Sequence, residues 1–65
     1  MKSIIIILKD EVDHKISYKN IISSTVINDN GMINIAIRIN DNTHAFYNIP
    51  IDQVIYIKEY SDTNL

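Results

Sequence analysis

From Met32 to Ile39 the chain alternates without interruption, with isoleucine at positions 33, 35, 37 and 39 and Asn34, Ala36 and Arg38 between them. A period of two puts all four isoleucines on one side of an extended strand and the intervening residues on the other. Immediately before it stands Asn28-Asp29-Asn30-Gly31, whose Asn-Gly pair favours the positive φ angles of a two-residue type I′ hairpin turn. A returning strand, roughly Ile21 to Ile27, is therefore predicted. Closing the hairpin at Asn30-Gly31 sets Val26 opposite Ile35, Ser24 opposite Ile37 and Ile22 opposite Ile39. In that register Ile22, Val26 and the four isoleucines share the core side, while Ser23, Thr25, Asn34, Ala36 and Arg38 face outward.

The polar stretch Asn40 to Thr43 predicts another hairpin turn, and His44 to Ile49 the strand that follows it. Loop length decides the facing of this strand. A three-residue loop turns Ala45, Tyr47 and Ile49 inward and His44, Phe46 and Asn48 outward; an even loop reverses them, and the first arrangement is expected. Pro50 has no backbone donor, so Pro50 to Gln53 is predicted as a single tight turn before a last strand, Val54 to Glu59. At the other end, Ser3 to Lys9 forms a first strand and Asp10 to Asp13 a polar loop. Lys15 to Lys19 then forms a short strand with Ile16 and Tyr18 inward. Residues 1–60 read as a single small β domain and residues 61–65 as a frayed tail.

The segment Tyr47-Asn48-Ile49-Pro50-Ile51-Asp52-Gln53-Val54-Ile55-Tyr56-Ile57, two strands parted by one turn, resembles the small SH3-like barrels, among them the Sm-like proteins. The resemblance covers about a sixth of the chain. It implies fold class alone: an all-β domain of five to six antiparallel strands, as a sheet or an SH3-like barrel. No residue roles follow from it, because this fold hosts unrelated functions. The halves of the chain also echo each other, Asn20-Ile21 with Val26-Ile27 recurring as Asn48-Ile49 with Val54-Ile55, which points to a pseudo-twofold repeat.

Composition strengthens the strand reading: sixteen residues are isoleucine and eight asparagine, against two leucines and two alanines. It also raises a stability problem. A chain of 65 residues buries only about 60% of the surface exposed on unfolding, and domains this small commonly need a staple. Cysteine is absent, and nothing around His14 and His44 has metal-ligand spacing, so neither disulfide, metal nor cofactor is expected. Association is the support left. Ile4 to Leu8 and Val54 to Ile57 are apolar on both sides of their strands, so a homodimer or higher closed oligomer is expected, with Ile5, Ile7, Val54 and Tyr56 at the contact.

The net charge of −2 is too mild to select a partner by electrostatics. The apolar run Ile4 to Leu8 is too short for a signal core or a membrane span, so a cytoplasmic protein without a membrane partner is expected. Ser17, Ser23, Ser24 and the two histidines have no spacing that sets a nucleophile beside a base and its orienting acid, so no catalytic residues and no enzyme are expected. Asp10, Glu11 and Asp13 lack the glycine and terminal glutamate of a calcium loop and read as a solvated turn. A single glycine cannot build a phosphate cradle.

One constellation offers a ligand or partner face: Asn34, Arg38, His44, Phe46 and Asn48 share the outer side of neighbouring strands. The leading expectation is a non-enzymatic homo-oligomeric binding protein that docks on another protein. Its isoleucine, asparagine and lysine usage, which AT-rich codons supply, suggests a phage or mobile-element inhibitor or accessory factor acting on a host protein. The alternative is a nucleotide or single-stranded RNA module using Arg38, His44, Phe46, Tyr47 and the lysines. A small hydrolase built on serine and histidine is the third class.

Overall fold

The alternating segment forms the longest strand of the computed structural model, which describes residues 1–9 and 15–61. The expected loop Asp10 to Asp13, His14 and the tail beyond Ser61 lie outside the described residues. The strands are β1 (Lys2–Leu8), β2 (Lys15–Ile21), β3 (Ser23–Asp29), β4 (Met32–Asn40), β5 (Thr43–Pro50) and β6 (Val54–Ser61), with a 3₁₀ turn at Ile51–Gln53 before the last. All ladders are antiparallel, in two three-stranded sheets ordered β2-β1-β6 and β3-β4-β5. The fold is therefore a small all-β pair of sheets. Among the described residues no ladder closes it into a barrel.

Seven buried side chains, all isoleucine, lie between the sheets: Ile4, Ile6, Ile21, Ile33, Ile35, Ile37 and Ile49. Five of them come from the central strands β1 and β4. Asn30 (φ 54) and Gly31 (φ 80) make the expected turn, and Asp29 pairs with Met32 beside it. A Cβ at Gly31 would meet nothing within 4 Å, so glycine is required there by its backbone angle and not by space. Val26 then pairs with Ile35 and Ser24 with Ile37, as the count from the turn predicts. Ala45, Tyr47 and Ile49 turn inward on β5, as the three-residue loop requires. The chain reaches that parity by a two-residue turn, Asp41-Asn42, with Ile39 as an extra residue on β4.

Two further irregularities overturn sequence expectations. Asn20 has φ 59 and sits where β2 carries one residue more than β1, between the pairs Ile4–Tyr18 and Lys2–Ile21. The bulge turns Ile21 into the core and leaves Ile22 at the corner between β2 and β3, 46% exposed instead of inward. On β6, Ile55 is the extra residue between the pairs Ile7–Tyr56 and Leu8–Val54. It separates Val54 from Tyr56, so Val54 packs against the core and leaves the set Ile5, Ile7 and Tyr56. The last strand also runs to Ser61, two residues past the expected Glu59.

Exchanging the first three strands for the last three carries β2-β1-β6 onto β5-β4-β3. The halves are thus related as the internal echo suggests, and the ladders equate Ile4 with Ile35 through their partners Tyr18 and Tyr47. Those two tyrosines meet across one side of the sandwich: their hydroxyls are 2.5 Å apart and their rings stand edge to face at 6.3 Å. On the opposite side Ser24 donates to Glu59, which also pairs with Lys2 at 3.8 Å.

The hydrogen bond with Tyr18, then burial, then the electrostatic interaction with Tyr18 push the Tyr47 hydroxyl from 10.0 up to about 12. The proton is held more tightly in the folded chain, so its contribution to stability is complete below pH 10 and is lost as pH rises toward 12. An alkaline titration read by tyrosinate absorbance and circular dichroism should show stability declining across that window. Tyr18→Phe should bring the Tyr47 ionisation back toward its ordinary value and shrink the decline. A second expectation concerns the bulge: Asn20→Val forces a β-branched residue into the left-handed region and should cost roughly 1–2 kcal/mol in urea denaturation at unchanged m-value. Asn20→Gly should leave the midpoint nearly where it was.

Candidate binding faces

The outer face of β3-β4-β5 is a grid set by the ladders. Its rows are Ser23-Arg38-His44, Thr25-Ala36-Phe46, Ile27-Asn34-Asn48 and Asp29-Met32-Pro50. Asn34, Arg38, His44, Phe46 and Asn48 therefore do share one face. Ala36, the smallest side chain of the grid, sits on the central strand and leaves a shallow open depression of about 270 Å³. Thr25, Ile27, Phe46 and the two asparagines line it together with Ala36. Phe46 is 74% exposed and Ile27 54% exposed on its two flanks. The His44 ring lies nearly parallel to that of Phe46, at 9° and 6.2 Å between centroids, and so supports it from one side. Sequence reasoning missed Ile27 and Thr25 as parts of this site, although the same count from the Asn30-Gly31 turn aligns them with Asn34 and Ala36.

Electrostatically this face is almost neutral. The Arg38 guanidinium donates to Asp41 at 3.2 Å, and Asp29 ends the grid at the other side. Tyr47 belongs to the inner face with Tyr18, and no lysine lies on the outer grid. The residues expected to form a nucleic-acid surface with Phe46 are thus divided among different faces of the molecule.

The outer face of β2-β1-β6 has a different chemistry. Its rows are Lys15-Ile7-Tyr56 and Ser17-Ile5-Lys58, followed by Ser3-Tyr60, with Lys19 outward beside them by alternation from Tyr18. Ile5 and Ile7 are half-buried under their neighbours, and Tyr56 is 51% exposed. The Lys58 ammonium lies 5.5 Å over the Tyr60 ring. Among the described residues no acid occupies this face: Glu59 alternates to the other side with Ile4. The signal was present in the period-two spacing of Lys15, Ser17 and Lys19 and of Tyr56, Lys58 and Tyr60.

Ser23 and His44 occupy one row with Arg38 between them, two strand spacings or about 10 Å apart. Among the described residues no three histidine or acidic side chains gather into a metal-holding group. No helix among them is long and apolar enough to cross a membrane. Comparison with protein-family models, with curated proteins and with solved structures finds no match to this chain.

Proposed function

We propose that the protein is a non-enzymatic binding module that docks on another protein through the outer face of β3-β4-β5. The observation that carries this reading is Phe46, 74% exposed beside Ile27 and above the gap at Ala36. An exposed aromatic anchor next to an apolar depression, rimmed by hydroxyl and amide groups, has the composition of a protein-contact hot spot. The near-neutral charge of the face suits a protein surface better than a phosphate backbone. Residue usage supports the narrower form of the proposal, an inhibitor or accessory factor from a phage or mobile element.

Self-association belongs to the same proposal, and the electrostatics favour this face for it. Pairing two copies through Ile5, Ile7 and Tyr56 would bring six ammonium groups together, three from each chain, with no acid of either face between them among the described residues.

Phe46→Asp and Ala36→Leu test the reading, the first by charging the anchor and the second by filling the gap; neither side chain belongs to the buried core. With folding verified by circular dichroism, tagged wild-type protein should retain a discrete partner from a lysate of its source cells, and both variants should lose it. Light scattering then separates self-docking from docking on a different chain, since only the former raises the mass above 7.5 kDa for the isolated protein. Wild-type and variant baits that retain the same proteins, or none, would defeat the proposal.

A further inference from the structure

We infer that the outer face of β2-β1-β6 is a second binding site, for single-stranded nucleic acid. Lys15, Lys19 and Lys58 stand on this face without an acidic partner among the described residues, and Tyr56 and Tyr60 stand on the same side of β6, flanking Lys58. The two tyrosines are four residues apart, about 14 Å along the strand, and β2 with its two lysines runs about 10 Å to the side. Cations that can neutralise phosphates thus run parallel to rings on which bases can stack. Every base has a π-face, so such stacking tolerates sequence, but it needs the base out of a duplex. The contact of Lys58 with the Tyr60 ring keeps an ammonium and an aromatic face side by side. An acidic peptide would satisfy the lysines and leave the tyrosine faces unused. That difference decides the class of ligand.

Charge asymmetry adds a second argument. All five lysines of the described chain belong to β1, its C-terminal end at Lys9, β2 or β6, and the outer face of the opposite sheet has none. Among the described residues the lysines are therefore gathered on one sheet, an asymmetry that electrostatics can use. The inference is independent of the protein-docking reading, which concerns the other sheet.

Fluorescence anisotropy with labelled single-stranded oligothymidylate and oligouridylate tests it. The slope of log affinity against log salt should be about −2, from three lysines at roughly 0.7 each. Binding should accordingly weaken roughly 15-fold between 50 and 200 mM salt. Lys15→Gln, Lys19→Gln and Lys58→Gln combined should flatten the slope toward zero. Tyr56→Ala and Tyr60→Ala should each weaken binding about tenfold and leave the slope unchanged. Phe46→Asp should bind like the wild type, which keeps failure here distinct from failure of the docking proposal. Absence of binding to either strand at low salt would overturn the inference. So would equal binding to a duplex, to a poly-glutamate peptide or to anionic lipid vesicles, or a lysine variant with full affinity and slope.

Discussion

Two isoleucine stripes, Ile4 and Ile6 on β1 and Ile33, Ile35 and Ile37 on β4, must stay dry against each other, and the remaining elements are arranged to keep them so. Each stripe lies on the middle strand of its sheet, where neighbours on both sides supply backbone hydrogen bonds and shield the flanks. The price is a core made of one residue type. Isoleucine is rigid and β-branched, so it packs well on a pleated surface but cannot fill gaps as methionine can. Rims made of tyrosine hydroxyls on one side and the Ser24, Glu59 and Lys2 cluster on the other close the sandwich with polar contacts.

The strands and their facing were legible wherever an uninterrupted alternation ran from a turn of known length. Asn30-Gly31 therefore located Val26 and Ser24 opposite Ile35 and Ile37 correctly. The irregularities were less legible. Asn20, Ile39 and Ile55 each add one residue to a ladder, and one residue reverses the facing of everything beyond it. Ile22 is left outside the core beside one such irregularity, and Val54 is turned away from Tyr56 at another. Asparagine tolerates the left-handed region, so Asn20 carried a hint of its bulge. Ile39 and Ile55 carried none, because isoleucine reads as regular strand.

The candidate faces follow the same division. Asn34, Arg38, His44, Phe46 and Asn48 could be grouped from the sequence because their strands are consecutive hairpins. The lysine and tyrosine face was legible only strand by strand, in two period-two spacings, since β6 adds to β1 from the far end of the chain and nothing local announces that pairing. Net charge averaged over 65 residues hid the separation between a near-neutral outer face and a cationic one.

Because β3 completes the sheet centred on β4, and β6 the sheet centred on β1, each half of the chain lends its last strand to the other. The halves are interlocked like clasped hands. Neither is a self-sufficient folding unit, and withdrawal of either lent strand bares a row of backbone donors and acceptors in the opposite half. Such reciprocity makes unfolding all-or-none. It is also the architecture that would result if two copies of a half-length ancestor, once paired by trading strands, were joined into a single polypeptide.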